Sequence, residues 1–221
     1  MKRILLAAAA VLALASPVLA GEAANWTGCY VGINGGYGWG HENWKNDIGI
    51  PNPGLGKPHP DGGMGGVQAG CDYKMDARWV VGLEGMFDWS DLKSSVINPS
   101  SGIGLLSASS RIKNLSEVTA RVGYTFDNFM IYGRAGIGWS RTDRNLENIG
   151  PRIAGTSNDA GWLIGAGLEW LVASNWSARI EFNHFDFGNQ RNFDPLVHML
   201  THQTVDVVLV GLNYRFTALG R

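Results

Sequence analysis

The sequence is poor in charge and in cysteine, and beyond its first residues it has no long hydrophobic run. Only 17% of its residues are charged, against 45% that are hydrophobic. Its two cysteines are not spaced as Cys-x-x-Cys, which argues against a structural zinc site or a thioredoxin-type redox site. No stretch after the N-terminus provides the ~20 apolar residues that a membrane-spanning helix needs. The composition therefore disfavours helical membrane proteins and thiol or zinc chemistry.

The N-terminus has the features of a secretory signal peptide. Lys2 and Arg3 precede an apolar segment at 4–15, and Ala20 ends a small-x-small motif, so residues 1–20 are predicted to be removed after export. The apolar segment is too short for a transmembrane anchor. Cleavage would leave 18 − 2 = 16 basic residues against 19 acidic ones. This balance of −3 argues against a nucleic-acid-binding protein.

Glycine, by contrast, is abundant, and apolar residues recur with a period of two. The clearest example is 161–187, where the pattern predicts two strands joined by a tight turn at 173–175. One face of this hairpin is apolar, and the other mixes glycine with charged residues. A lipid-embedded barrel directs the apolar face outward, whereas a soluble, lipocalin-like ligand carrier directs it inward.

The same alternation predicts eight strands along the chain. Short connections follow strands two, four and six, and long loops follow strands one, three, five and seven, at 41–62, 91–114, 140–160 and 188–203. This asymmetry is typical of outer-membrane barrels, whose turns are short on the periplasmic side. The predicted fold is an all-β, eight-stranded antiparallel up-and-down transmembrane β-barrel with four long extracellular loops. The predicted segments are a signal peptide at 1–20, a tail at 21–25, the barrel at 26–216 and an extension at 217–221.

Aromatic residues recur where these strands would meet the membrane surfaces. Two interfacial girdles of this kind are expected of an outer-membrane barrel. The predicted girdle residues are Trp26, Trp39, Trp79, Trp89, Tyr124, Phe126, Trp139, Trp162, Trp170, Trp176, Tyr214 and Phe216.

Charged residues at inward positions are the main candidate site. Buried charges are costly without partners, so they are expected to pair across the lumen. The resulting network would either fill the barrel or line a narrow passive pore. If it acted as a gate, Glu84→Ala should raise conductance. The predicted network contains Glu84, Arg121, Arg134, Glu169, Arg179, Glu181 and Arg215.

Catalytic and metal-binding alternatives have weaker support. Glu169 and Glu181 resemble an acid–base pair, but Arg179 between them favours the ionised form of both. His184 and Asp186 are candidates for a lipid A-modifying enzyme, although no serine nucleophile can be assigned to them. We therefore predict neither an enzyme nor a resident cofactor.

Histidines in the predicted loops are candidates for loop-mediated haemin or metal binding. His198 and His202 would align on one face of a helical turn, and His41 and His59 could join them. The alternative is that these are solvated loop histidines.

The two cysteines lie on adjacent predicted strands. Cys29 and Cys71 share the outward face near the periplasmic end, and export exposes the protein to an oxidising compartment. Either a cross-strand disulfide or two free thiols facing lipid is compatible with this placement.

Eight motifs follow one another along the chain. They are WTGCYVGINGGYGWG (26–40), GGVQAG (65–70), VGLEG (81–85), VTARVGY (118–124), IYGRAG (131–136), GAGLEW (165–170), NWSARIEF (175–182) and VGLNYRF (210–216). The ordered set resembles one known group, the alphaproteobacterial outer membrane immunogenic proteins, also labelled a porin family, of the OmpA-like β-barrel superfamily. The resemblance covers almost all of the expected mature chain. It differs at the 217–221 extension and at the two cysteines, where the family commonly has aromatic or aliphatic residues.

This resemblance implies an integral barrel in the outer membrane of a Gram-negative bacterium. Family members are described as surface antigens and envelope-structural proteins; some are called porins and some relatives bind haemin. The implied partners are outer-membrane lipid and lipopolysaccharide, the barrel-assembly machinery and periplasmic chaperones. Host surfaces or antibodies would meet the loops.

Overall fold

The computed structural model describes residues 25–46, 59–98, 106–147, 153–192 and 199–217. Each strand pairs antiparallel with its sequence neighbours, and β1 pairs with β8 to close the barrel. The predicted eight-stranded up-and-down barrel is therefore confirmed. The strands are β1 (Gly28–Asn46), β2 (Asp61–Lys74), β3 (Trp79–Asn98), β4 (Leu106–Phe126), β5 (Phe129–Glu147), β6 (Ile153–Ala173), β7 (Trp176–Asn192) and β8 (Met199–Thr217).

The described residues contain no helix long and apolar enough to cross a membrane.

In the part of the barrel nearest the short turns, the outward face is a continuous apolar band. Outward residues such as Ile33, Leu83, Ile164 and Val210 are 63%, 65%, 55% and 47% exposed. A soluble barrel would bury these side chains, so the lipocalin-like alternative is excluded. About 11 residues per strand at ~3.3 Å, tilted by ~45°, give a band ~25 Å tall, the height of the apolar belt of outer-membrane barrels. We call this part the membrane-level half.

The strands are longer than predicted, and they continue well into the expected loops. β1 reaches Asn46, and the β3–β4 pair extends from Trp79 to Asn98 and back from Leu106. The predicted loop bounds were too wide, because the outward face becomes polar above the apolar band. We call this upper part the extracellular half. At this upper end, residues 47–58, 99–105, 148–152 and 193–198 lie outside the described residues.

Three β-bulges lie at the boundary between the two halves. They interrupt the register between Trp89 and Leu92, between Ile112 and Asn114, and between Asp186 and Asn189. At the third, Gly188 has a φ of +64°, a conformation that residues with a Cβ rarely adopt. Each bulge disturbs the period of two, which is why the predicted strands ended or began there.

Two apolar clusters occupy different levels of the interior. The lower cluster, at the periplasmic end, consists of Trp26, Val80, Met130 and Tyr132, with Leu171 packed against it. The upper cluster begins in the upper part of the membrane-level half, at Leu163 and Leu209, and continues across the boundary. It contains Met64, Met86, Leu92, Ile112, Leu115, Leu163, Phe185, Phe187, Val205, Val207 and Leu209.

Trp26 does not belong to the aromatic girdle, so the prediction is wrong at this residue. It is fully buried rather than lipid-facing, and its indole N–H donates to the carbonyl oxygen of Asp127 at 3.1 Å. Asp127, in the turn between β4 and β5, has a φ of +53°. Trp26 therefore closes the periplasmic end of the lumen.

The predicted terminal segments are only partly described. The signal peptide (1–20) lies outside the described residues, as do 21–24 of the tail and 218–221 of the extension. β8 includes Thr217, so the strand extends one residue past the predicted barrel end.

Candidate functional site in the barrel lumen

The lumen of the membrane-level half is filled with charged side chains. All seven residues of the predicted network are buried, each with at most 4% of its surface exposed. The structure adds buried carboxylates that the predicted network lacked, namely Asp72, Asp88 and Glu117. Their inward positions follow from the same alternation, but their partners depend on distances across the barrel.

Arg121 is the centre of this network. Its Nε and Nη2 donate to the two carboxylate oxygens of Asp72, at 2.8 and 2.5 Å, and its Nη1 donates to Glu169 Oε2 at 3.0 Å. The guanidinium carbon lies 4.8 Å from the ring centroid of Tyr30 and 5.1 Å from that of Tyr132. One planar cation is thus held in its plane by two carboxylates and stacked by two rings, an arrangement suited to arginine.

A second group of ion pairs lies around Arg134 and Arg179. Arg179 Nη1 donates to Glu84 Oε2 at 2.5 Å, and Arg134 Nη1 lies 3.1 Å from Glu84 Oε1. Arg134 also donates to Glu117 and to Glu181. Glu84 therefore joins the two arginines, and Arg134 links three carboxylates.

Two tyrosines connect the two groups. The Tyr30 hydroxyl donates to Glu84 at 2.5 Å, and the Tyr132 hydroxyl donates to Glu181 at 2.6 Å. Each ring lies over a cross-strand glycine, Gly70 and Gly167, where an added Cβ would come within 2.5 Å of the tyrosine. The glycines make room for the rings that stack on Arg121.

Arg215 extends the network downward to the lower cluster. It contacts Asp72, donates to Glu169 Oε1 at 2.9 Å, and donates to the backbone oxygen of Trp26 at 3.1 Å. Ser177 and Asn213 donate to the same Glu169 oxygen, at 2.5 and 3.1 Å. Glu169 is thus held by four residues, Arg121 included.

The charged layer lies between the two apolar clusters. Leu163 and Leu209, each 1% exposed, lie above it, and Trp26 and Val80, fully buried, lie below it. An ion crossing the barrel would have to leave water, pass an apolar layer, displace paired charges and pass a second apolar layer. Each desolvation step is costly, so this arrangement favours a plug over a channel.

His184 pairs with a residue that the sequence did not indicate. Its Nδ1 lies 2.6 Å from Oδ1 of Asp206, its cross-strand neighbour on β8. The ring also contacts Trp162, with centroids 5.8 Å apart. Within the described ranges, no hydroxyl group completes this pair as a nucleophilic triad.

The other predicted histidine site is not a helical turn. His202 lies in β8, with its Nε2 3.6 Å from Asp186 Oδ1, whereas His198 lies outside the described residues. His41 and His59 contact each other edge to face, with centroids 4.8 Å apart. In the part of the chain that is described, no group of three or more His, Cys, Asp or Glu side chains is arranged to hold a metal ion.

The two cysteines form a disulfide in the structure. Cys29 and Cys71 are directly paired residues of β1 and β2 on the outward face. The bond therefore staples the first hairpin on the lipid side of the barrel, at the level of the charged layer.

An apolar outer band around a filled, charged lumen defines an integral β-barrel of the outer membrane. The chain belongs to the outer membrane protein beta-barrel domain family, which matches residues 6–216. The predicted family and the outer-membrane location are confirmed.

Relatives and solved structures agree with this assignment. The chain is 31% identical to the 31 kDa outer-membrane immunogenic protein of Brucella melitensis biotype 1 over 205 residues, 87% of this chain and 84% of that protein. It is 27% identical to the 25 kDa outer-membrane immunogenic protein of Brucella abortus biovar 1, over 91% of this chain and 84% of that one. Its fold is similar to that of the outer membrane protein OprG from Pseudomonas aeruginosa, with a TM-score of 0.54, 14% identity, and coverage of 88% and 98%.

Proposed function

We propose that this protein is a non-conducting, non-catalytic barrel that contributes to the integrity of the outer membrane. In this role its extracellular half serves as an antigenic and adhesive surface, and its lumen serves only to hold the barrel together. Export by cleavage of residues 1–20, followed by delivery through periplasmic chaperones to the barrel-assembly machinery, is part of the proposal.

The observation that supports this function most strongly is the order of layers in the lumen. Charged residues that would line a pore are bonded to one another, and an apolar cluster lies on each side of them. A pore needs charges that face water and remain free to exchange partners with passing ions. Arg121, stacked by two rings and bonded to two carboxylates, lacks that freedom.

The surface role is supported by two independent facts. The strands project far above the apolar band, which gives the extracellular half a polar outer face. The Brucella relatives are named as immunogenic proteins.

Deletion of the gene in its native bacterium tests the envelope role against the pore alternative. If the barrel is a sealed structural component, the deletion strain becomes more sensitive to detergent and to bulky antibiotics, while its uptake of small solutes is unchanged. Complementation by the wild-type chain should restore resistance.

The passive pore predicts the reverse pattern. Loss of a pore lowers small-solute uptake and leaves detergent resistance unaltered. That result would contradict the proposed function.

A further inference from the structure

A group of cations lies on the outer surface of β3, β4 and β5, immediately above the apolar band. Lys93, Arg111 and Lys113 have 56%, 51% and 45% of their side-chain surface exposed, and Arg141 is exposed as well. Lys93 and Arg111 are directly paired across the strands. We call these four residues the rim patch.

The rim patch follows the aromatic girdle closely. Trp89 and Trp139 are lipid-facing, at 60% and 40% exposure, and the patch residues come two to four positions beyond them on β3 and β5. At ~3.3 Å per residue this is about 7–13 Å of strand. Trp side chains sit at the level of lipid headgroups. The cations therefore stand at, or just above, the headgroups of the outer leaflet.

Two carboxylates order the patch without neutralising it. Asp91 lies 2.6 Å from Lys93 Nζ and 2.8 Å from Arg111 Nε, and Asp143 lies 2.5 Å from Lys113 Nζ. A hydrogen bond from Lys93 holds the pKa of Asp91 below its ordinary value, and one from Lys113 does the same for Asp143. Asp61 on β2 is the exposed cross-strand neighbour of Lys93 and adds a third carboxylate beside the patch. Four cations against three carboxylates leave a formal charge of 4 − 3 = +1.

Other parts of the barrel surface differ in charge. On β7 and β8, beside the girdle residues Trp162 and Trp39, the outer face carries Asp186, Asp206 and His184. The opposite rim, at the periplasmic end of β2 and β3, carries Lys74 and the exposed Arg78. Among the side chains that the structure describes, the cations of the extracellular rim are thus concentrated on β3, β4 and β5.

We propose that the rim patch binds the phosphate groups of a phosphorylated glycolipid of the outer leaflet, with Arg111 and Arg141 as bidentate ligands and Lys93 and Lys113 as point charges. Guanidinium groups match phosphate geometry, and their aliphatic stems can lie along the girdle while the charged ends reach the headgroup. The occupant is a lipid rather than a soluble anion, because the patch adjoins a surface that only acyl chains cover.

Binding of bis-phosphorylated lipid A to the folded barrel in detergent, measured by native mass spectrometry, tests the proposal. Each cation near an anionic lipid surface contributes about fivefold to affinity. We therefore expect Lys113→Gln with Arg141→Gln to weaken binding on the order of tenfold, and substitution of all four residues to weaken it further. Dephosphorylated lipid A should bind wild-type protein and variants alike.

The matched control is Lys74→Gln with Arg78→Gln, which removes the same charge from the periplasmic rim. This variant should bind lipid A within about twofold of wild type. The gel shift on boiling establishes that each variant is folded. If the variant with all four substitutions fails to fold, the rim variant Lys113→Gln with Arg141→Gln still decides the test.

Three results would overturn the proposal. The rim variants could bind phosphorylated lipid A as wild type does. The periplasmic control could lose as much affinity as the rim variants. Finally, millimolar inorganic phosphate could displace the lipid from wild-type protein, in which case the patch is a site for free phosphate.

Discussion

The two halves of this barrel are built from the same eight strands but have opposite arrangements of polar and apolar residues. In the membrane-level half, Ile33 and Leu83 face outward and Arg121 and Glu169 are buried. In the extracellular half, Lys93 and Arg111 face outward, and Leu92 and Ile112 are fully buried. The surrounding solvent therefore decides the arrangement, while the strand pairing remains continuous through both halves.

The difference also shows how the two interiors are stabilised. The extracellular half has an apolar core like that of a soluble barrel, with a buried polar layer nearer the strand ends where Ser110 donates to Glu42 at 2.9 Å. The membrane-level half has no water outside it to drive apolar residues inward, so its interior depends on ion pairs and hydrogen bonds. Substitutions in the two halves should consequently fail for different reasons.

The largest effect is expected for Arg121→Met in the membrane-level half. It leaves Asp72 and Glu169 buried without their central cation, which should lower the free energy of unfolding by about 3–5 kcal/mol. Urea unfolding of the barrel in detergent micelles measures this. The control, Arg111→Gln, breaks an exposed ion pair and should cost less than about 1 kcal/mol. Equal losses would show that the lumen network is not what stabilises this half.

The disulfide should have the next largest effect. Replacing Cys29 and Cys71 by serine opens a covalent loop between residues 42 positions apart, at a cost of about 2–4 kcal/mol. Wild-type protein should show no titratable thiol when denatured without reductant, and its mobility on a denaturing gel should change when reductant is added. Two titratable thiols in the unreduced protein would contradict the bond.

Two leucines on β6 allow the stability lost by substitution inside the barrel to be compared with that lost on its lipid face. Leu163→Ala opens a cavity in the upper cluster and should cost about 2–3 kcal/mol. Leu168, 40% exposed, faces lipid, and lipid chains fill the space that alanine leaves, so Leu168→Ala should cost less than about 1 kcal/mol. Thermal unfolding followed by the gel shift compares them. A larger loss at Leu168 would reverse the assignment of the two faces.

The smallest effect concerns Asp76, outside both halves in the turn between β2 and β3. Backbone N–H groups of Arg78 and Trp79 donate to its carboxylate, and these bonds hold its pKa below 3.8. The ionised carboxylate contributes fully to stability above pH 3.8, and this contribution disappears as the pH falls through the lowered pKa of the folded state. Asp76→Ala should therefore lower the unfolding midpoint slightly at pH 6, and this difference should shrink as the pH is lowered below 3.8. A difference that stays constant over this range would mean that ionisation of Asp76 is irrelevant.

Much of the membrane-level half could be predicted, because one period of two runs through it without interruption. That period placed Glu84, Arg121 and Arg215 in the lumen, where the structure has them. It also placed Val210 and Ile164 on the lipid face.

The remaining features of the fold and the site depend on strand register and on long-range contacts, which the local pattern of residues does not contain. The sequence predicts loops where the extracellular half continues as strands, because the polarity of this half is reversed and bulges break its period at the boundary. The His184–Asp206 pair depends on the register of β7 against β8, which no residue type in either strand specifies. The predicted network lacks Asp72 because its partner, Arg121, lies two strands away and is reached over Gly82, a contact that no local pattern shows. The sequence places Trp26 in the girdle because burial at a strand end has no signature in the sequence.

Planar-bilayer conductance of the refolded barrel tests most directly whether the lumen is sealed. From protein whose fold is established by its gel shift on boiling, the account predicts a silent bilayer. It predicts silence for Glu84→Ala as well, because both apolar clusters remain in place when one carboxylate is lost. Reproducible unitary steps from the wild-type barrel would contradict the account and make the charged layer the lining of a pore.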